Sequence, residues 1–228
     1  MLRLRKHEER GHTVLSWLDS RHSFSFGSYQ DPRHVHHSAL LVINDDRVRA
    51  HSGFGAHAHR HMEILTWVIA GQLSHRDSTG VHGVLRAGDA QLMSAGAGIT
   101  HSEMNEGDQE VHFLQIWILP REQRRASSYQ QKHYPAQPGL TLIASGQEHP
   151  DALLLHQDAD LWRVDLAAQA SQVLAQKIER QGWIQVISGH VEVAGLSLEP
   201  GDGLAISASS ELTLYSPDGA QMLYFDLP

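Results

Sequence analysis

The chain has 228 residues, 41% of them hydrophobic, enough for one large β domain or two smaller ones. A net charge of −8 argues against a nucleic-acid binder working through a basic surface, and the absence of cysteine leaves nitrogen and oxygen as the available metal donors. Met1 to His12 alternates charge with leucine, without the apolar core of a signal peptide, and stretches such as Ile64–Ala70 are too short to span a bilayer. The expectation is a soluble cytoplasmic protein without membrane or direct nucleic-acid partners.

From Trp17 to Tyr29 aromatic residues mix with Ser and Gly, which predicts an irregular segment packed by its rings. Asp31-Pro32 signals a turn, and His34, His36 and His37 after it read as a polar loop. Ala39–Ile43 predicts a short strand closed by a turn at Asn44-Asp45-Asp46. Strands follow at Ile64–Ala70, Gln72–Arg76, Val81–Leu85 and Ala90–Ser94, separated by Gly71, Ser78-Thr79-Gly80 and Ala87-Gly88-Asp89. Val111–Leu119 has the strongest strand pattern, and Pro120 ends it. The charged, glutamine-rich Arg121–Tyr134 reads as a linker with at most one helical turn.

A second β-rich half begins after Gly139, with short strands at Thr141–Ala144, Ala152–His156, Leu161–Leu166 and Gln172–Ile178. Ser207–Pro217 reads as an edge hairpin or contact surface. No segment carries the sustained 3.6-residue periodicity of a substantial helix. The two halves echo each other. Trp67-Val-Ile-Ala-Gly71-Gln-Leu73 returns as Gln185-Val-Ile-Ser-Gly189-His-Val191, and Leu85–Ser94 returns as Leu198–Ser207 around a shared Gly-Asp turn. Two copies of one β-barrel module are expected: residues 1–120, a linker at 121–138, and residues 139–228.

The copies differ where chemistry would sit. The first has His57-Ala58-His59 and His101-Ser102-Glu103, and the second has neither motif. Residues i and i+2 of a strand face the same side, so two such strands would aim three imidazoles and a carboxylate at one point. That donor set suits iron, copper, nickel, manganese or zinc. Among 18 histidines some His-x-His pairs arise by chance, as His34-Val35-His36 and His59-Arg60-His61 show. The conjunction of two such motifs beside predicted strands and turns is what points to a metal centre. Glu63 shares the parity of His57 and His59, and spacing alone does not choose between Glu63 and Glu103.

His57-x-His59-x-x-x-Glu63, then Gly88-Asp89 and Gly98-x-x-His101-x-x-x-Asn105, resembles the paired cupin motifs. More narrowly, Gly53–Arg60, Glu63, His75-Arg-Asp-Ser-Thr-Gly80 and Gln91–Glu103 resemble the pirin family. The resemblance covers most of residues 1–120 and weakens beyond. It implies an all-β bicupin of two jelly-roll barrels, with one metal ion in the first barrel on His57, His59, His101 and Glu103. Glu63 then becomes a supporting residue. The family often has Pro and Gly where Ala58 and His61 stand, which makes His61 an extra polar group near the mouth.

Pirin-like bacterial proteins are associated with quercetin 2,3-dioxygenase activity, which opens the central ring of a flavonol with dioxygen and releases carbon monoxide. On that reading the cofactor is iron(II), with copper, nickel, manganese and zinc behind it. Glu103 is the base for the flavonol 3-hydroxyl, and Met93 and Gln115 are candidates to line the cavity. A second reading, from the eukaryotic branch, is a metal- and redox-sensing regulator acting through a protein partner without turnover. A metal-free sugar-type cupin ranks third.

Overall fold

The structure, a computed structural model, describes residues 1–123, 125–207 and 211–228. It is all-β; among the described residues the one helical segment is the 3-10 turn His7–Glu9. Among the described residues no helix is long and apolar enough to cross a membrane. The chain divides into two compact units, Gly11–Pro135 with Leu155–Gln157, and Met1–Arg10 with Ala136–Leu154 and Asp158–Pro228.

In the first unit a seven-stranded sheet runs in the order Ser128–His133, Asp89–Ser94, Glu63–Ala70, Val111–Ile118, Leu40–Val48, Leu18–His22 and Gly11–Val14. A four-stranded sheet runs Ser52–His59, Ile99–Asn105, Gln72–Asp77 and His82–Arg86. Apolar residues from both sheets form one cluster: Leu73 and Leu85 from the smaller, Leu18, Val48, Val68, Val111 and Phe113 from the larger. Burying such side chains contributes roughly 1.5–3 kcal/mol each, so this shared face holds the two sheets together.

The second unit repeats the pattern with seven strands and four. Its larger sheet is centred on Gln181–Gly189 and Ala220–Leu227, and its smaller one runs Ala170–Ala175, Glu211–Ser216, Val191–Val193 and Leu196–Leu198. The internal echo is matched in backbone conformation. Gly71 and Gly189 have φ of 78° and 76°, and Gly88 and Gly201 have 85° and 88°. These positive values are ones that L side chains rarely adopt, so the repeat preserves glycine at its turns.

Several expectations need correction. Asn44-Asp45-Asp46 is not a turn but the middle of strand Leu40–Val48, held by Val111–Ile118 on one side and Leu18–His22 on the other. Pairing on both edges overrides the local turn preference of Asn and Asp. Within Trp17–Tyr29, Leu18–His22 is a regular strand. Ser128–His133, inside the expected linker, pairs along Asp89–Ser94. Of Ala152–His156, strand covers Leu153–Leu154 alone. Leu2–Arg5 joins the second unit by pairing with Gly203–Ser207. Within Ser207–Pro217, residues 208–210 lie outside the described residues, and Glu211–Ser216 is an inner strand of its sheet, not an edge.

Candidate metal centre

Three neighbouring strands of the smaller first-unit sheet build the site. Ser52–His59 lies antiparallel to Ile99–Asn105 with His57 opposite His101, and a register shift follows before Glu103. On the other flank Gln72–Asp77 places Asp77 opposite His101 and His75 opposite Glu103. Directly opposed residues share a sheet face, so period-two spacing on each strand gathers His57, His59, His101, Glu103, His75 and Asp77 on one surface.

The three imidazoles expected as ligands do converge. Ring centroids lie 4.5 Å apart for His57 and His101, 4.7 Å for His57 and His59, and 4.9 Å for His59 and His101. One nitrogen from each falls within 4.8 Å of the others. Glu103 joins a second group of the same span, with His75 and His101. Thus His101 is common to both groups, and Glu103 reaches the imidazoles from the His75 side. Glu63 belongs to neither group. It sits on the larger sheet, buried, accepting hydrogen bonds from Ser94 Oγ at 2.8 Å and the His156 backbone N–H at 3.3 Å.

The protonation states suit metal binding. His57 Nδ1 donates to the Gly55 carbonyl at 2.8 Å, which leaves Nε2 with its lone pair. Burial, followed by the nearby His57, pushes His59 down to about 4. Burial and the surrounding imidazoles push His101 down to about 3. Both rings are neutral at ordinary pH and able to coordinate. His101 is 2% exposed and neither of its nitrogens has a hydrogen-bond partner. An orphaned buried polar atom costs roughly 1–3 kcal/mol, which a coordinated cation would offset. Two donors at about 2.1 Å from one ion are at most about 4.2 Å apart, so a 4.8 Å span needs only a small contraction. The cluster has the donors and the size to hold a divalent metal ion.

Glu103 is fixed from behind. Its carboxylate accepts from Gln115 Nε2 at 2.6 Å, Thr66 Oγ1 at 3.1 Å and Gln91 Nε2 at 3.3 Å. Burial raises its pKa, partly offset by His75 and these hydrogen bonds. The carboxylate therefore has an unusual affinity for a proton while being held in one orientation.

The cluster borders a cavity of about 220 Å³. His57, His59, Glu103 and Gln115 line it, together with the aromatic residues Phe26, Phe54 and Trp117. Trp117 packs edge-on against both His59, at 5.0 Å, and Phe26, at 5.5 Å. Asn44 and Asp46, on the part of strand Leu40–Val48 that extends beyond the expected end at Ile43, form part of a polar wall. Burial pushes the Asp46 carboxyl up to about 7, and one of its oxygens has no partner.

Gln115 thus lines the cavity as expected, whereas Met93 is core, packed with Ile64, Ala95 and Ile99. His34 and His37 are buried rather than part of a solvated loop, and His36 is exposed. His61 is absent from both donor groups. The sequence reading missed His75, although His75-Arg76-Asp77 has the same spacing and parity as the two motifs it did use.

Comparison with known proteins gives a consistent picture. A family model described as Pirin matches residues 3–118, and one described as the quercetinase C-terminal cupin domain matches residues 142–227. The quercetin 2,3-dioxygenase of Escherichia coli (strain K12) is 43% identical over 229 residues, covering 100% of this chain and 99% of the relative. A putative quercetin 2,3-dioxygenase of Pasteurella multocida is 40% identical over the full length of both. The crystal structure of the bacterial pirin YhhW from Escherichia coli in complex with nickel(II) superposes with a TM-score of 0.97 at 42% identity, covering 100% of this chain and 99% of that one.

Proposed function

This chain belongs to the pirin family, and on that premise we propose that it is a metal-dependent quercetin 2,3-dioxygenase holding one divalent ion on His57, His59, His101 and Glu103. The observation that carries the reading is the three-imidazole cluster opening on an aromatic-lined cavity, in a chain 43% identical along its length to a quercetin 2,3-dioxygenase. When bound, the metal, iron(II) in our reading, supplies a redox couple that relieves the spin mismatch between dioxygen and a closed-shell substrate.

The chain's own residues do the rest. Phe26, Phe54 and Trp117 offer flat apolar surfaces to a planar flavonol, and a mostly apolar cavity also excludes water from the reacting face. Glu103, beside the metal position and lining the cavity, takes the proton of the flavonol 3-hydroxyl. Gln115, Gln91 and Thr66 keep the carboxylate aimed while it does so. The site thereby prepares the oxyanion, with the proton held on Glu103 until ring opening releases carbon monoxide. A chain with no cysteine and an oxygen-nitrogen donor set suits the reducing cytoplasm, where we place it.

The test is anaerobic addition of quercetin to iron(II)-loaded protein, followed by air. A new ligand-to-metal absorption band, then stoichiometric uptake of dioxygen with release of carbon monoxide, is expected. No spectral change and no oxygen uptake would remove the enzymatic reading.

A further inference from the structure

We propose that Asp46 selects the substrate: its free carboxyl oxygen hydrogen-bonds a hydroxyl group on an outer ring of the flavonol, so that hydroxylated flavonols are taken in preference to those whose outer rings are bare. This rests on the dioxygenase reading above and narrows its substrate class.

The position follows from register. On the larger sheet of the first unit Thr66 stands opposite Gln115, Gln115 opposite Asn44, and Asn44 opposite His22. Two residues further along, Asp46 stands opposite Ser20, and Ser20 opposite Thr13. Opposed residues, and those two apart on one strand, share a face. Thr13, Ser20, His22, Asn44, Asp46 and Gln115 accordingly line one wall of the cavity.

Most of that wall is already satisfied. His22 lies 2.7 Å from Asn44 Oδ1 through Nδ1 and 2.8 Å from Thr13 Oγ1 through Nε2, and Gln115 Nε2 donates to Glu103 at 2.6 Å. Asp46 differs. It is 3% exposed, Ser20 hydrogen-bonds its carboxyl, and Oδ1 has no partner. Among the described residues lining the cavity, it is the one side chain with a buried atom left unpaired. An unpaired buried oxygen is costly, so a ligand that pairs it gains what a ligand without a matching group forgoes. A phenolic hydroxyl donates to a carboxylate and accepts from a carboxylic acid, and therefore fits Asp46 in either protonation state.

The reach fits as well. Asp46 is one strand across and two residues along from Gln115, roughly 8 Å between Cα atoms from strand spacing. That is comparable to the span from a flavonol's 3-oxygen, held beside Glu103, to its outer-ring hydroxyls. Phe26 and Phe54 offer flat surfaces to either kind of flavonol and do not tell them apart.

The test compares quercetin, hydroxylated on both outer rings, with 3-hydroxyflavone, which keeps the 3-hydroxyl alone. Dissociation constants are measured anaerobically on iron(II)-loaded wild type and Asp46→Leu, with metal content recorded for each. Wild type should favour quercetin by about 10- to 100-fold, and Asp46→Leu should bring the ratio to within about threefold with its metal retained. Taking the ratio between the two proteins cancels differences in flavonol solubility, and a merely structural defect would weaken both flavonols alike. A ratio unchanged by the substitution overturns the assignment and leaves the dioxygenase reading standing. Failure of wild type to bind either flavonol removes both. Should Asp46→Leu not fold, an anaerobic crystal of wild type with quercetin decides: a flavonol oxygen about 3 Å from Asp46 Oδ1 is expected, and a bound flavonol with none within about 4 Å refutes the proposal.

Discussion

Asp46 offers a direct measure of how dry the cavity wall is. It is 3% exposed, a hydrogen bond with Ser20 offsets burial only in part, and the charges of Asp45 and Glu103 add to the effect of burial. Its carboxyl is accordingly pushed from 3.8 to about 7. Because the folded-state pKa is raised, the folded protein keeps a proton that the unfolded chain has already released. The resulting stabilisation is complete below about pH 4 and is lost as pH rises through 7. At about 1.4 kcal/mol per unit, the loss between pH 5 and pH 8 is on the order of 3 kcal/mol. Asp46→Asn keeps the shape and cannot ionise, so it is exempt from this loss. In urea titrations of metal-free protein, the stability of Asp46→Asn minus that of wild type should climb by about 3 kcal/mol from pH 5 to pH 8. Any fixed penalty of the amide cancels in that comparison. A difference that changes by less than about 0.5 kcal/mol would mean that Asp46 is hydrated, and the dry wall would have to be abandoned.

Four further variants have definite expected outcomes. His101→Ala, which removes the donor common to both groups, should leave purified protein with almost no bound metal by elemental analysis, and Glu103→Ala should lose oxygen consumption on quercetin. Gly53→Ala would drive a methyl group into the Glu103 carbonyl and to 2.7 Å from Met104 Cα. The His57 strand must then move off the His101 strand, costing roughly 1–3 kcal/mol of stability. Nickel(II) affinity measured by calorimetry should fall with it, although Gly53 touches no ion. Trp117→Ala should keep its metal and raise KM for quercetin about tenfold, the equivalent of one aromatic contact. An unchanged KM would show that the indole plays no part in binding.

How much of this was legible beforehand depended on the reach of each signal. Strands bounded by glycine turns were plain, because alternation and turn chemistry are local. The metal motifs were legible for the same reason, since two-residue spacing fixes a face before any tertiary structure is known. His75 carries the same signal, but a strand read as Gln72–Arg76 stops one residue short of Asp77 and so hides the pair. Asn44 and Asp46 were misread through propensity, for nothing local announces that two flanking strands will hold those residues straight. The strand at Ser128–His133 is hidden in a polar composition because its side chains are half-buried or exposed, so no fully buried face marks it. Glu63 and Glu103 were inseparable by parity, and the difference between them is one of sheet, which spacing cannot express.

The pairing of Leu2–Arg5 with Gly203–Ser207 has a bearing on biosynthesis. Leu2–Arg5 leaves the ribosome well before its partners, which are encoded some two hundred codons downstream, a delay of roughly 10–40 s at ordinary translation rates. The first unit has its strands in hand long before that, while the second cannot finish its larger sheet until Leu2–Arg5 comes back to it. Splitting the gene between the two repeats would therefore strand each fragment: one with an orphaned ribbon, the other with a raw sheet edge inviting aggregation. A tag fused ahead of Met1 would be felt in the distant half of the protein rather than in the half it precedes.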